Sequence, residues 1–412
     1  MVPKGWSSVQ AQDVCKSISV GVVIKPTQYY VPEGYGVKAF RSANVREGFI
    51  NDSDWVYFSH EGHAINKKSH LKTGDVLIVR TGYPGTACVV TPEFEGSNAI
   101  DIVIARPDMD KIIPEYLCAY TNSHIGKSQV LDLQGGMAQK HLNVGAYQVL
   151  KINLPPLREQ KKIAQILSTW DKAITVTEKL LVNSQQQKKA LMQQLVTGKK
   201  RLLDENGVRF SGEWKRVKLG AIADMNSGGT PKSTVEEYYG GNIPWVSISD
   251  MTSNGKWIAT TEKYLTELGL NSSSARIYPK NSVLYAMYAS IGECSIAAVN
   301  LTSSQAILGI RPKDCLNYEF LYFYLTSLKE KIKLQGQQGT QSNLNAGMVK
   351  EFELDLPSIR EQQKIAAVLS AADAEISTLE KKLACLRDEK KALMQQLLTG
   401  KRRVKVDEAV AE

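Results

Sequence analysis

Six cysteines in 412 residues are few, and no two of them form a C-x-x-C pair. Cys15, Cys88, Cys118, Cys294, Cys315 and Cys385 therefore read as buried thiols of a reduced compartment, not as a disulfide frame or a zinc knuckle. The five histidines all fall in the first half of the chain, and only His60 and His63 are close together. No Cys or third His follows at zinc-like spacing, so no metal is expected. No apolar run reaches the ~20 residues needed to span a bilayer. The start, Met1-Val2-Pro3-Lys4-Gly5-Trp6, has no apolar leader, which makes a soluble cytoplasmic protein the expectation.

The motifs of autonomous enzymes are also missing. There is no G-x-x-x-x-G-K-[ST] loop. Gly228-Gly229-Thr230-Pro231-Lys232-Ser233 comes near it, but the spacing is wrong and Pro231 has no amide to give a phosphate. No G-x-G-x-x-G opens a helix, and H-E-x-x-H, G-x-S-x-G and the Asn-Pro-Pro-aromatic box of amino-methyltransferases are absent. Neither a catalytic residue nor a cofactor is expected.

What the chain does have is an internal repeat. Residues 154–201 align without a gap on 356–403, and 27 of these 48 positions are identical. Leu154-Pro155-Pro156-Leu157-Arg158-Glu159-Gln160 returns as Leu356-Pro357-Ser358-Ile359-Arg360-Glu361-Gln362, and Lys188 through Leu195 return unchanged as Lys390 through Leu397. The segments before each copy share only anchors. Trp6 answers to Trp214, Val76-Leu77 to Val283-Leu284, Arg106-Pro107 to Arg311-Pro312 and Leu142-Asn143 to Leu344-Asn345. The order is a globular segment (1–153), a helix (154–207), a second globular segment (208–355), and a second helix with a tail (356–412). Near-duplicate helices imply one job done twice. Divergent globular segments imply one scaffold turned to two targets.

The helices carry apolar residues at alternating steps of four and three. The first seam is Ile163, Leu167, Trp170, Ile174, Thr177, Leu181, Ser184, Lys188, Leu191 and Leu195. The second is Ile365, Leu369, Ala372, Ile376, Leu379, Leu383, Leu386, Lys390, Leu393 and Leu397. A sustained seven-residue period is a coiled-coil seam. About 40 residues of helix span roughly 60 Å. Two seams in one chain most simply pair with each other, antiparallel and with pseudo-two-fold symmetry. Lys188 and Lys390 interrupt the seams at matching places, as register-fixing residues do, although a snorkelling lysine would look the same. Ser358-Ile359-Arg360-Glu361 predicts a capping box, and Gly198 and Gly400 predict left-handed stops.

The globular segments predict an α+β class. Buried strands are expected at 76–79, 102–105, 282–285 and 306–310, and short helices at 116–120 and 320–324. Two loops recur in both. One is turn-rich (41–44 and 247–250). The other is rich in glycine and amides (134–141 and 337–343). Asn and Gln can bond bidentately to adenine, and Arg and Lys to guanine; an ordinary solvated loop has the same composition.

Together these features resemble the specificity subunit of type I restriction-modification systems. The resemblance rests on the L-P-x-[LI]-R-E-Q-x-K-I-A starts at 154 and 356, the L-x-T-G-K-[KR]-R ends at 195 and 397, and the Gly228–Pro231 turn. It implies two target recognition domains that each read half of a bipartite site in double-stranded DNA. It also implies that the helices are a spacer and a docking surface for two methyltransferase subunits, which restriction subunits join. Adenine methylation and ATP-driven cleavage would belong to those partners. Candidate base-contacting residues in the first domain are Arg41, Asn44, Tyr83, Gln139, Lys140 and His141. In the second they are Ser247, Asp250, Tyr288, Gln338, Thr340, Gln341 and Asn343. Two alternatives stand beside this reading: a coiled-coil scaffold that binds only protein, and an autonomous DNA-modifying enzyme.

The net charge of +9 is unevenly placed. Each globular segment has 15 basic and 14 acidic residues, whereas 154–207 carries a net +5 and 356–412 a net +2. Charge alone therefore does not mark the globular segments as DNA readers, and weak, salt-sensitive binding by the isolated chain is expected.

Overall fold

The computed structural model describes residues 2–133, 141–337 and 344–406. The elements that matter here are, in chain order, β1 (Cys15–Val20), β2 (Val76–Val79), β3 (Ala87–Val89), β4 (Ile102–Pro107), α1 (Pro114–Asn122) and α2 (Leu157–Leu195). They are followed by β5 (Ala223–Ser227), β6 (Val283–Ala286), β7 (Cys294–Ala297), β8 (Ile307–Pro312), α3 (Tyr318–Gln337) and α4 (Ile359–Leu398). The chain divides into two compact units. One is Met1–Glu178 with Lys381–Glu412; the other is Lys179–Glu380. Among the described residues no helix is long and apolar enough to cross a membrane.

The first unit is built on a sheet of order β1-β4-β2-β3. Val76-Leu77-Ile78-Val79 is apolar at every position because both faces of β2 are covered. Val76 and Ile78 enter one core with Val103, Ala105, Tyr116 and Leu117. Leu77 and Val79 enter another with Phe40, Ile102 and Ile104. A second sheet carries Gly36–Phe40, Val56–Ser59, Tyr30–Val31 and Asn98–Ala99. A two-stranded ribbon, Ser7–Gln10 against Lys151–Leu154, delivers the chain to α2.

The second unit repeats the plan, with a sheet of order β5-β8-β6-β7 extended by Trp257–Ile258. Val283 and Tyr285 face one core, and Leu284 and Ala286 the other. Its ribbon pairs Lys215–Lys218 with Glu353–Leu356. The four expected strands and both expected helices are present, each within a residue or two of its predicted start. The second helix runs well past its predicted end.

The antiparallel pairing of the two helices is present as well. In the first unit, Ile163 and Leu167 share a core with Leu397 and Leu398, and Arg387 Nη2 meets Glu178 Oε1 at 2.6 Å. In the second, Leu195 shares a core with Ile365 and Leu369, and Ser184 donates to Glu375 at 3.0 Å. All seam positions are buried or half-buried. Lys390 pairs with Asp171, and Lys188 pairs with Asp373. Each seam lysine thus has a carboxylate partner on the facing helix and does not merely snorkel.

The start and end motifs explain each other. Glu159 accepts from Trp6 Nε1 at 3.2 Å and from Arg403 Nη2 at 2.5 Å and Nε at 3.1 Å. Glu361 accepts from Trp214 Nε1 at 3.1 Å and from Arg201 Nε at 2.5 Å and Nη2 at 2.7 Å. Each guanidinium also lies 5.5–5.7 Å from its tryptophan ring, within cation–π range. The following glutamines clamp the loops before α1 and α3. Gln160 accepts from Ile113 N–H at 3.0 Å, and Gln362 from Asn317 N–H at 2.8 Å.

The capping-box expectation at Ser358 is corrected by this arrangement. Ser358 Oγ accepts from Glu361 N–H at 3.4 Å, but the Glu361 carboxylate turns to Arg201 and Trp214. A bidentate charge-assisted pair outweighs one backbone N–H. Gly198 and Gly400 have φ of 68° and 69°, the left-handed stops expected. The cysteines also need correcting. Cys88, Cys118 and Cys294 are buried and Cys15 is half-buried, but Cys315 and Cys385 are exposed. Burial pushes the Cys88 thiol up to about 12, so it stays protonated.

Candidate nucleic-acid interface

One end of each main sheet carries the features that suit a reading surface. In the first unit the loop between β2 and β3 begins at Arg80, which is buried. Its guanidinium donates to Leu142 O at 3.0 Å, pairs with Asp101 and meets His141 Nε2. Arginine has no acceptor, so His141 Nε2 accepts and its Nδ1 carries the proton. That Nδ1 lies 2.9 Å from Thr81 Oγ1. The segment after the glycine- and amide-rich loop is therefore tied to the base of the hairpin, where Leu142 N–H also donates to Arg80 O at 2.9 Å. Tyr83, at the hairpin tip, is 83% exposed.

The second unit has the same scaffold with different chemistry. Leu344 N–H donates to Met287 O at 3.2 Å, the counterpart of Leu142 on Arg80. Met287 is buried, and no charged hub replaces Arg80 at this position. Tyr288 is partly exposed, and Ala289 is held at φ 58°, a left-handed conformation that alanine rarely adopts. Exposed aromatic rings at such tips can make apolar and edge contacts with bases in a groove of duplex DNA.

The turn-rich loops also correspond, for a structural reason. Arg41 N–H donates to Asn44 Oδ1 at 2.9 Å, and Ser247 N–H to Asp250 Oδ2 at 2.9 Å. Asn44 is buried and donates to Asn51 O and Ser53 O. Asp250 is buried and accepts from Glu262 N–H at 2.9 Å. Ser247 Oγ bonds Asp250 and Ser249. Arg41 Nη2 is held by Asp54, at 2.5 Å to its carbonyl and 2.9 Å to its carboxylate. Asn44 and Asp250 thus spend their polar atoms inside the loop.

The sequence-predicted residues divide accordingly. Tyr83 and His141 come together at the hairpin end of the first unit, and Tyr288 holds that place in the second. Arg41, Asn44, Ser247 and Asp250 sit in the other loop of their units. Gln139, Lys140, Gln338, Thr340, Gln341 and Asn343 lie outside the described residues. Sequence reasoning missed Arg80, which organises the first hairpin; its pairing partners lie 21 and 61 residues away. It also missed Lys38, whose Nζ sits 4.7 Å from the Trp55 ring centroid and pairs with Asp52 at 2.9 Å.

Two other features are settled by packing. Gly228 and Gly229 are required by close backbone approach: a Cβ would come within 2.2 Å of Ser303 O and 2.1 Å of Ala275 N, respectively. That is a packing role and not a phosphate cradle. His63 Nδ1 is 2.6 Å from Asn98 Oδ1, and its ring stacks on His70 at 3.8 Å. Among the described residues no cluster of three or more His, Cys, Asp or Glu could hold a metal.

The chain holds two similar α+β units with duplicated helices, and comparison with known proteins gives the class. The family model for the type I restriction modification DNA specificity domain matches residues 3–183 and 211–386. The chain belongs to that family. The MjaVIII specificity subunit of Methanocaldococcus jannaschii is 27% identical over 427 residues, covering 98% of this chain and 94% of that one. The MjaIX specificity subunit of the same organism is 36% identical over 172 residues, 41% of this chain and 40% of its own. The EcoR124I/EcoR124II specificity subunit of Escherichia coli is 26% identical over 295 residues, 68% of each chain. Among solved structures, the type I system S subunit from M. genitalium matches with a TM-score of 0.59 at 14% identity over 96% of both chains. The HsdS subunit from Thermoanaerobacter tengcongensis matches with a TM-score of 0.52 at 19% identity, over 97% of this chain and 98% of that one.

Proposed function

We propose that this chain is the non-catalytic specificity subunit of a type I restriction-modification complex, reading a bipartite target in double-stranded DNA. The observation that carries this reading is the contrast between frame and tip. The start and end contacts of the helices repeat residue for residue. The hairpin ends, fixed on the same scaffold, hold Arg80, Thr81, Tyr83 and His141 in one unit and Met287, Tyr288 and Ala289 in the other. A shared frame with divergent tips suits two half-sites of different sequence.

Tyr83, His141, Tyr288 and the residues of 134–140 and 338–343 are the proposed reading set. Asn44 and Asp250 hold their loops and position Arg41 and Ser247. The helices present equivalent surfaces for two methyltransferase subunits, which restriction subunits join, and they set the gap between the half-sites. Methyl transfer and cleavage belong to those partners, in the cytoplasm where the DNA lies.

Methylome sequencing of a host carrying this chain with its methyltransferase tests the proposal. A modified motif in two parts separated by a fixed gap is expected. The absence of any such motif would overturn it. Filter binding to duplex DNA, with and without the methyltransferase, separates it from a scaffold that binds only protein.

A further inference from the structure

At the end of the main sheet opposite the hairpin, the two units differ in charge at equivalent positions. The equivalence is fixed by register. Val76 pairs with Ala105 in the first unit, and Val283 with Ile310 in the second. Asp108 N–H donates to Val14 O at 2.9 Å, and Lys313 N–H to Ile222 O at 3.0 Å. Gly74 and Asn281 both hold left-handed φ, 87° and 71°. Asp75 therefore answers to Ser282, Arg106 to Arg311, Thr73 to Lys280 and Asp108 to Lys313.

In the first unit the Asp75 carboxylate is 1% exposed and fully used. It accepts from Arg106 Nε at 2.8 Å, Arg106 Nη2 at 2.7 Å and Lys72 N–H at 2.8 Å. In the second unit the carboxylate is gone but the arginine remains. Ser282 is 1% exposed, and its Oγ has no hydrogen-bond partner. The place of Lys72 is taken by Pro279, which has no N–H. Arg311 turns outward to Asp224 at 3.0 Å, with side-chain exposures of 63% and 50%, a water-screened pair that holds it weakly.

The substitution coincides with a cavity of about 220 Å³ lined by Lys280, Ser282, Arg311, Lys313 and Tyr318, with Asp314 its single carboxylate. This is roomy against the ~30 Å³ share of a water in the liquid. Counting the four equivalent positions, the first unit has one cation and two carboxylates there, net −1; the second has three cations, net +3. Tyr318 opens α3, so the positive end of a 20-residue helix flanks the cavity.

We propose that this cavity binds a phosphate-class oxyanion. Arg311 and the two lysines supply charge, and a turn of the Ser282 side chain, whose Oγ is closed off from solvent and without a partner, brings its O–H to the anion. The anion takes the place that the Asp75 carboxylate holds in the first unit. Its source is either a free phosphate group or a backbone phosphate of DNA, and the site does not depend on the reading loops.

Titration of the full chain with inorganic phosphate, at constant ionic strength against chloride, tests this by calorimetry. Saturable binding is expected, weakened at least tenfold in Ser282→Asp, which restores the first unit's carboxylate and so gives Arg311 an internal partner. The double variant Lys280→Thr, Lys313→Asp changes only surface side chains and is expected to lose binding equally. A duplex lacking any target sequence is the second arm. If both variants weaken duplex binding and lower its salt slope by about one phosphate contact, the source is the DNA backbone. If duplex binding is unchanged while phosphate binding is lost, the source is free phosphate. Absence of saturable phosphate binding together with unchanged duplex binding overturns the proposal. So does phosphate binding that is equal in the wild type and both variants.

Discussion

At the scale of single residues, the most consequential groups are the two glutamates that follow the arginines of the repeated starts. Glu361 is almost fully buried and takes both nitrogens of one edge of Arg201 as well as the Trp214 N–H. Removing one partner leaves the other charge in a dry site, which costs more than the net worth of the pair. Arg201→Ala should therefore destabilise the second unit by about 2–3 kcal/mol, below the ~3–5 kcal/mol of a wholly buried pair because Arg201 keeps some water. Arg201→Lys should rescue little of that, since an ammonium cannot match the fork or lie flat on Trp214. Urea unfolding of the three proteins checks both statements; near-equal midpoints for Lys and Arg would show that charge alone matters. Arg106 is held in the same manner. The Asp75 carboxylate that accepts its hydrogen bonds raises its already high pKa, so Arg106 keeps its charge as pH rises.

At the scale of elements, the two long helices are set in register by polar residues within apolar seams. Lys390 with Asp171 and Lys188 with Asp373 are the same contact 202 residues apart, with the helices exchanged. The Lys188 and Asp373 side chains are 23% and 27% exposed, so this pair should exceed the ~0.2–1 kcal/mol typical of an exposed pair, whereas Asp171 is 46% exposed and its pair with Lys390 is more screened by water. Asp373→Ala should cost about 1–2 kcal/mol. Exchange of the pair (Lys188→Asp with Asp373→Lys) should recover most of the loss seen in either single reversal, which a double-mutant cycle measures. Lys188 and Lys390 were visible in the sequence because they break a strict period. Their aspartates were not, because Asp171 and Asp373 look like ordinary outward helix residues until the facing helix is known. Local rules failed in the same way at Ser358, where the capping pattern is present but the decisive partner, Arg201, lies 160 residues away. The strands were legible for the opposite reason. Burial on both faces leaves a continuous apolar run such as 76–79, and nothing distant is needed to interpret it. The loops were the least legible. Asn44 and Asp250 have the side chains of base readers, but their neighbours consume them.

At the scale of the whole chain, the net charge is carried where the sequence is duplicated and not where it diverges. The two globular segments are each nearly neutral, and the excess lies in 154–207 and 356–412. Arg201, Arg403, Lys188 and Lys390 are paired with carboxylates of the same two segments, which the net charge already counts. The net charge therefore does not give the number of cations that displace counterions from DNA. The slope of log K against log salt measures that number directly, at about 0.9 per phosphate neutralised. For the isolated chain it should be shallow, reporting few phosphate contacts, and nearly the same for target and non-target duplexes. Adding the methyltransferase should steepen it and separate the two duplexes, because partners then supply phosphate contacts while the tips supply base contacts. Tyr83→Ala and Tyr288→Ala should each narrow that separation for one half-site only and leave the slope unchanged, since base contacts by an uncharged ring release no counterions. A change of slope in either variant would place the tyrosines among the phosphate contacts and remove them from the reading set.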